Sequence, residues 1–237
     1  SPGHCFDAAI EATRIALKYR TPVFLLSDGY LANASEPWLI PDVSKLPDLS
    51  VAFTTEPNHG GDFWPYLRDP ETLARPWAIP GTPGLMHRIG GLEKEDGTGN
   101  VSYDPDNHEK MVHLRAAKVA GIAKDISPVA VDGVAGARLL VLGWGGTWGV
   151  NHAGVYRARA RGKAVDIAHL MHLNPFPANL GEVLARYDRV LVPELNLGQL
   201  SRLLKMDFDV EVVSLNKVKG VHFRAAEIEA RILDLVG

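Results

Sequence analysis

The sequence has only one cysteine among its 237 residues, Cys5. One cysteine excludes an internal disulfide, and it excludes an iron–sulfur cluster or a cysteine-based zinc site built by this chain alone. A reducing cytoplasm is therefore the expected location. The sequence also lacks any apolar run near the roughly 18 residues that a membrane span needs, and it shows no signal peptide. We expect a soluble protein.

The sequence has no cluster of basic residues either. Its formal net charge is -3, and neither a Lys/Arg-rich block nor a basic helix face is present. Such a charge pattern gives no reason to expect binding to nucleic acid or to an anionic membrane. What is present is an ordinary globular composition, with 46% hydrophobic and 22% charged residues, enough for one or two domains.

The first 50 residues read as the end of a larger domain. A helix of about 15 residues is predicted from its mostly apolar face, and TPVFLLSDG (21–29) is typical of a buried strand. One helix and one strand cannot enclose a core, and the sequence begins with Ser. We therefore expect residues 1–50 to complete an α/β domain that continues upstream. The helix face consists of Phe6, Ala9, Ile10, Thr13, Ala16 and Leu17.

Residues 33–105 are rich in proline and glycine and predict little regular structure. They also carry many large aromatic side chains, too many for a disordered segment. We expect an ordered meander, with residues 53–77 buried largely by another subunit or by an upstream domain. Residues 86–92 and 101–105 are possible short strands, and Asp104-Pro105 begins a predicted helix over 106–124. The aromatic residues are Trp38, Phe63, Trp64, Tyr66, Trp77 and Tyr103.

The last hundred residues alternate between strand and helix patterns. This alternation predicts a parallel sheet with helices on both faces. The predicted strands are 138–143, 164–170, 189–193 and 210–214, and the predicted helices are 148–161, 178–186, 197–205 and 224–235.

A glycine-rich loop, GWGGTWG (143–149), follows the first of these strands. A dinucleotide-binding loop has the pattern G-x-G-x-x-G, with an acidic residue at the tip of the second strand. Here position 148 is Trp, the next glycine is Gly149, and Asp166 lies inside its predicted strand. A tight strand-to-helix turn against a neighbouring subunit is the favoured interpretation. A non-catalytic nucleotide-binding module stays open as an alternative.

Other candidate sites are weak. His108 and His113 are five residues apart, about 140° around a helix axis, so they do not share one metal ion easily. Ser27 stands where the first glycine of a thiamine-diphosphate G-D-G motif belongs, so the diphosphate–Mg²⁺ site is not expected here. His87-Arg88 lies between glycine-rich turns. An Arg at such a place can bind a carboxylate, or it can simply donate a hydrogen bond to a backbone carbonyl of the loop. We predict no metal site in this chain.

Several stretches together resemble the alpha subunit of 2-oxoacid:ferredoxin oxidoreductases of the 2-oxoglutarate type. YRTPVFLLSDGYLANASEPW is similar to the end of the family's pyrimidine-binding domain, and RPWAIPGTPGLMHRIGGLEKEDGTGNVSYDPDNHEKM to its connecting region. The motifs LVLGWGGTWG, IAHLMHLNPFP, VLVPELNLGQL and SLNKVKGVHF are similar to its transketolase C-terminal-like domain. The resemblance implies three segments: 1–50, the end of the pyrimidine-binding domain; 51–136, a connecting region with one long helix; and 137–237, the C-terminal-like domain.

The resemblance implies an enzyme of the tricarboxylic acid cycle that decarboxylates 2-oxoglutarate, passes electrons to ferredoxin and forms succinyl-CoA from coenzyme A. Thiamine diphosphate, Mg²⁺ and a [4Fe-4S] cluster would be held mainly by a beta subunit, in a heterotetramer of two alpha–beta pairs. This segment alone would be inactive, and pyruvate or a branched-chain 2-oxoacid stays open as the substrate. Catalytic and cofactor-binding residues are not assigned; the candidates for substrate-facing or supporting roles are Asp28, Tyr30, Asn33, His87 and Arg88.

Two positions depart from the family pattern. Relatives carry G-L-E-H-D-E where this chain has Lys94 in place of the His, and G-S-T where it has Gly146 in place of the Ser. The family's Tyr-Pro-Ile-Thr-Pro segment and its substrate-binding Arg belong upstream of these residues.

Overall fold

A computed structural model describes all residues from 1 to 237. The chain divides into two compact units. The first, here called the sheet unit, contains Ser1–Phe6, Leu26–Trp38 and Ile126–Gly237. The second, here called the meander unit, contains Asp7–Leu25 and Leu39–Asp125. None of the helices is long and apolar enough to cross a membrane.

The chain forms seven α-helices, five strands and three short 3₁₀ turns. The α-helices are α1 (Pro2–Tyr19), α2 (Gly29–Asn33), α3 (Pro105–Gly121), α4 (Trp148–Ala160), α5 (Leu180–Leu184), α6 (Gln199–Asp207) and α7 (Ala225–Val236). The strands are β1 (Val131–Asp132), β2 (Leu139–Trp144), β3 (Asp166–Leu170), β4 (Arg189–Glu194) and β5 (Val212–Asn216). The 3₁₀ turns are Val43–Lys45, Ile122–Lys124 and Gly145–Thr147.

The sheet unit is built on one five-stranded sheet in the order β1-β3-β2-β4-β5. Strands β2 to β5 are parallel, and Val141 at the centre is paired with Ile167 on one side and Leu191 on the other. All four parallel strands and their helices follow the predicted alternation, which confirms the α/β fold. The sheet is not wholly parallel, because β1, which lies in the predicted connecting region, pairs antiparallel with β3.

Two apolar cores cover the two faces of the sheet. Alternate residues of β2 point to opposite faces, so Leu140 and Leu142 enter one core and Val141 enters the other. The first core is completed by α5 and α6, with Leu184 and Leu204 fully buried; the second is completed by α4 and α7. Because both faces are covered, the parallel strands are almost continuously apolar, as seen in LLVL and RVLVP.

The predicted strand at residues 21–29 is wrong. Residues 22–28 form no regular structure, and Phe24 and Leu26 are 88% and 65% exposed. A strand must pair its backbone groups with a neighbouring strand, and the structure contains no such neighbour for this segment. The apolar sequence is consistent with a strand, but apolar residues alone cannot supply the missing pairing.

The meander unit contains α1 from Asp7 onwards, α3 and long irregular segments. The predicted short strands at 86–92 and 101–105 are wrong, since only an isolated bridge joins Lys94 to Val101. Helix α3 begins where predicted, with the Asp104 carboxylate accepting a hydrogen bond from the Asp106 N–H at 3.0 Å. It ends at Gly121, and the predicted remainder to residue 124 is a 3₁₀ turn.

The chain itself covers much of the aromatic meander. Phe63 is 8% exposed, Trp64 stacks on His59 with ring centroids 3.5 Å apart, and Tyr66 lies beneath the Arg75 guanidinium. Glycine at position 97 allows the chain to pass close to Trp64, since a Cβ there would lie 3.0 Å from the indole ring. The more exposed rings of this part of the chain include Tyr103, Trp38 and Phe53, which are 84%, 49% and 45% exposed. Burial of residues 53–77 by another chain stays a prediction.

Candidate functional site

The sheet unit has a topological switch point between β2 and β4. These strands are neighbours, while β3, which follows β2 in the chain, lies on the other side of β2. In open α/β sheets ligands bind outside the carboxyl ends of the strands at such a point. Here Trp144 ends β2 and Glu194 ends β4. The Trp144 indole N–H donates a hydrogen bond to Glu194 Oε1 at 3.3 Å, so side chains of the chain itself close this position.

Glu194 is fully buried, yet both of its carboxylate oxygens are satisfied. Oε1 accepts from the Leu200 N–H at 2.8 Å and the Asn196 side-chain amide at 3.2 Å. Oε2 accepts from the N–H and the hydroxyl of Ser201, at 3.0 and 2.8 Å. The backbone donors belong to the first turn of α6, where a negative charge is favourable. The carboxylate therefore occupies an anion position that a ligand would otherwise fill.

The glycine-rich loop connects β2 to α4 by a single 3₁₀ turn, Gly145–Thr147. Gly145 has a φ of 56°, in the left-handed region that favours glycine. The Thr147 hydroxyl donates to the Trp144 carbonyl at 2.8 Å and accepts from the Asn151 side-chain amide at 3.3 Å. These bonds close the turn on itself, as the sequence predicted for a tight strand-to-helix connection.

Asp28 lies against this loop. Its carboxylate caps α2 by accepting from the Leu31 N–H at 2.9 Å, and it touches Gly146 so closely that a Cβ at position 146 would overlap Asp28 Oδ2. The turn was predicted to pack against a neighbouring subunit, but in this structure it packs against a residue of the same chain. Because a carboxylate repels the phosphates of a dinucleotide, this contact argues against nucleotide binding at residues 143–149.

A buried polar cluster lies behind the loop. Asn151 is 1% exposed, and its Oδ1 has no hydrogen-bond partner. A Cβ at Gly143 would meet the Asn151 amide, Thr147 Oγ1 at 3.0 Å and His169 Nδ1 at 3.2 Å, so only glycine fits beside them. Burial is the largest of the effects that lower the pKa of His169 to about 4. His169 is therefore neutral at physiological pH.

The other predicted residues of the sheet unit lie close to Asp28 in sequence. Asn33 donates through its side chain to the Gly29 carbonyl at 2.6 Å, which closes the single turn of α2. Tyr30 stacks against His222 with ring centroids 3.9 Å apart. This contact joins α2 to the segment that follows β5. Asp28, Tyr30 and Asn33 are thus brought together, and all three have partners within the unit.

Sequence reasoning missed a row of rings in the sheet unit. His4, Trp148, His152 and Tyr156 contact one another in succession, with centroid distances of 6.4, 4.4 and 5.8 Å. The last three are spaced four residues apart on one face of α4, and this spacing is the signal that could have revealed them. Burial lowers the pKa of His152, against the opposing effect of the Asp132 carboxylate.

His87 and Arg88 lie in the meander unit. His87 Nδ1 is 2.7 Å from the Leu85 carbonyl, and its ring meets Phe63 edge-on at 4.8 Å. Arg88 is exposed. The pair sits in a turn-rich loop as predicted, and the imidazole is used to hold that loop. Whether either residue contacts substrate is untested, so both stay predictions.

Side chains that could ligate a metal ion are not clustered in this chain. The structure contains no group of three or more His, Cys, Asp or Glu side chains that could hold a metal. His108 is 2.8 Å from Glu93, while His113 is 3.7 Å from Glu109, so the two imidazoles have separate partners. At the carboxyl end of the sheet the carboxylates of Asp28 and Glu194 are both engaged within the chain.

Comparison with known proteins finds a family model that matches residues 1–104. They match the model of the pyruvate flavodoxin/ferredoxin oxidoreductase, thiamine diphosphate-binding, family. The chain is 56% identical over 229 residues to the 2-oxoglutarate oxidoreductase subunit KorA of Mycobacterium tuberculosis, covering 96% of this chain and 34% of that subunit. It is also 27% identical over 232 residues to the 2-oxoglutarate synthase subunit KorA of Methanocaldococcus jannaschii, covering 60% of it.

The fold agrees with these relatives. The solved 2-oxoglutarate:ferredoxin oxidoreductase of Magnetococcus marinus, with 2-oxoglutarate, coenzyme A and succinyl-CoA bound, matches 94% of this chain and 39% of its own chain, with a TM-score of 0.79 and 29% identity. The resemblance predicted from the sequence motifs is confirmed over nearly the whole chain. The chain spans about a third of the Mycobacterium tuberculosis subunit.

Proposed function

We propose that this chain is part of the alpha subunit of a thiamine-diphosphate-dependent 2-oxoglutarate:ferredoxin oxidoreductase. The proposal rests on the 56% identity over 229 residues to a 2-oxoglutarate oxidoreductase subunit. Similarity to the Magnetococcus marinus enzyme, at a TM-score of 0.79, supports it. The reaction converts 2-oxoglutarate and coenzyme A into succinyl-CoA and CO₂, and two electrons leave one at a time for ferredoxin.

In this proposal the chain forms one side of the active site and a surface for subunit assembly. Thiamine diphosphate, Mg²⁺ and a [4Fe-4S] cluster are held mainly by a beta subunit, and two alpha–beta pairs form a heterotetramer in the cytoplasm. The single cysteine supports this division of labour, because one thiolate cannot hold a [4Fe-4S] cluster. The segments 1–50, 51–136 and 137–237 correspond to the end of the pyrimidine-binding domain, the connecting region and the C-terminal-like domain.

The candidate supporting residues differ in what they already contact. Asp28 is the strongest, because its carboxylate connects the α2 cap to the glycine-rich loop. Tyr30 and Asn33 hold the short α2 turn beside it. Replacing Asp28 should therefore change the shape of this side of the active site and leave the two apolar cores of the sheet unit in place.

The test is viologen reduction by the intact protein, purified with its copurifying polypeptides. We expect reduction that needs both 2-oxoglutarate and coenzyme A, with much lower rates for pyruvate and branched-chain 2-oxoacids. Viologen reduction that does not depend on 2-oxoglutarate would contradict the substrate assignment. Higher rates with pyruvate would leave the proposed reaction class unchanged and make pyruvate the substrate.

A further inference from the structure

The meander unit brings three guanidinium groups together around two aromatic rings. Arg68 and Arg75 share the ring of Tyr66, with Cζ atoms 5.8 and 4.6 Å from its centroid. Arg20, just after the end of α1, lies over the ring of Trp77 at 5.0 Å and donates a hydrogen bond to the Arg75 carbonyl. Arg20, Arg68 and Arg75 therefore form one group.

Lys118 of α3 adds a fourth positive charge to this group. Lys118 is only 8% exposed, and its ammonium has no hydrogen bond or ion pair. Burial and the positive charges of Arg68, Arg75 and Arg20 lower the pKa of Lys118 to about 8. We call Arg20, Arg68, Arg75 and Lys118 the cationic cluster.

No carboxylate forms an ion pair with the cationic cluster. The acidic groups that act on it from a distance are Asp69, which favours the charge of Arg20, and Asp96, which favours that of Arg68. Both are already engaged. Asp69 accepts from the Thr72 N–H at 2.7 Å, and Asp96 pairs with Lys110 at 2.7 Å. Four positive charges without a direct counter-charge destabilise a partly buried site.

The arginines also hold the meander together. Arg20 donates to the Ala52 carbonyl at 3.0 Å, Arg68 to the Leu73 carbonyl at 3.2 Å, and Arg75 to the Pro65 carbonyl at 3.4 Å. Such bonds explain why guanidinium groups stand at this place. They leave two groups of donors unexplained: the ammonium of Lys118, and Arg68 Nε, which is buried without a partner. Donors without partners beside uncompensated charge are the features of an anion site.

We propose that the cationic cluster binds a phosphate-bearing anion. A phosphoryl or pyrophosphoryl group carries about two or more charges and several acceptor oxygens, so it can offset more than one of the four positive charges. A single carboxylate would neutralise only one of the four charges. The anion is either free pyrophosphate, in which case the site goes beyond the proposed oxidoreductase function, or the phosphate portion of coenzyme A, in which case the site rests on that function.

Calorimetric titration of the full chain tests the proposal without any turnover. Sodium pyrophosphate is added at fixed ionic strength, with sodium chloride as the reference, because non-specific charge effects are screened equally in both. We expect saturable binding that weakens about tenfold or more in Lys118→Gln, since one charge-assisted bond is lost. Lys124→Gln, which removes an exposed lysine from the following 3₁₀ turn, should bind like the natural protein.

Thermal unfolding of the same variants without added anion separates an anion site from a purely structural one. Lys118→Gln removes an uncompensated charge, so it should unfold at the same temperature as the natural protein or higher. Absence of saturable pyrophosphate and coenzyme A binding would overturn the proposal. So would equal affinities in Lys118→Gln and Lys124→Gln.

A competition titration then identifies the source of the anion. If coenzyme A displaces pyrophosphate, and Lys118→Gln weakens both, the cluster holds the phosphate portion of coenzyme A. If pyrophosphate binds and coenzyme A does not displace it, the cluster holds a free polyphosphate. Both results support the anion site, and both are independent of whether the protein oxidises 2-oxoglutarate.

Discussion

The carboxylate of Asp28 touches Gly146, the middle glycine of the loop between β2 and α4, and leaves no room for a Cβ there. These residues are far apart in sequence, and the contact fixes α2 against the carboxyl end of the sheet. It also puts a negative charge where a nucleotide phosphate would bind.

Gly146→Ala should therefore disturb the α2 cap. The added methyl displaces the Asp28 carboxylate from the Leu31 N–H, and loss of such a cap costs about 1 kcal/mol of stability. Gly149→Ala is the matched control, because a Cβ at that position meets nothing within 4 Å. Urea unfolding of both variants measures the difference. Equal stabilities would show that Asp28 moves aside freely.

Glu194→Gln should be strongly destabilising. The buried carboxylate accepts hydrogen bonds on both oxygens, and an amide would turn an N–H₂ group towards other donors. The expected loss in the free energy of unfolding is about 3 kcal/mol. Glu211→Gln, which changes an exposed partner of Arg189, should have little effect. A tolerated Glu194→Gln substitution would contradict a structural role for this carboxylate.

Close packing of α4 on α7 depends on Gly154. A Cβ there would lie 2.6 Å from the Ile228 Cβ and 3.2 Å from the Ala225 carbonyl, both on or beside backbone that cannot move easily. Gly154→Ala should separate the helices and cost about 1–3 kcal/mol, although alanine is the better helix former. Thermal unfolding checks this, and a gain in stability would show that helix propensity outweighs the clash.

Acid should destabilise the sheet unit through His169. The folded pKa is about 4, below the ordinary value of 6.5, so the unfolded chain takes up a proton first. Stability from the neutral imidazole is complete above about pH 6.5 and is lost as the pH falls towards 4, by about 3 kcal/mol.

His169→Gln should reduce the fall in the free energy of unfolding between pH 6.5 and pH 4. His113→Gln, at an exposed imidazole of α3, should leave the profile unchanged. Identical slopes for the natural protein and His169→Gln between pH 6.5 and 4 would show that His169 has the same pKa in the folded and unfolded states.

The sequence predicted the sheet unit well because its fold is local. Each parallel strand is a short apolar run and each helix follows within a few residues, so Leu139–Trp144 and its successors can be recognised one at a time. The segment 21–29 failed for the opposite reason: Phe24 and Leu26 suit a buried strand, but a strand also requires a partner elsewhere in space.

The candidate site was only partly predictable. The sequence identified Asp28 as a candidate site residue. It could not show the contact with Gly146, which depends on how distant segments come together. Glu194 was missed although it directly follows an apolar strand and precedes a helix, the position where a buried carboxylate can accept from the first turn of that helix. Lys118 was missed because its helix pattern is that of a solvent-facing lysine.

The central claim is tested most directly by following the carbon atoms of 2-oxoglutarate. The intact protein with its copurified partners is given 2-oxoglutarate labelled with ¹³C at the carboxyl carbon beside the ketone, together with coenzyme A and oxidised viologen. We predict labelled CO₂, unlabelled succinyl-CoA by mass spectrometry, and two reduced viologens for each thioester formed. Viologen reduction without the thioester, or no labelled CO₂, would contradict the account.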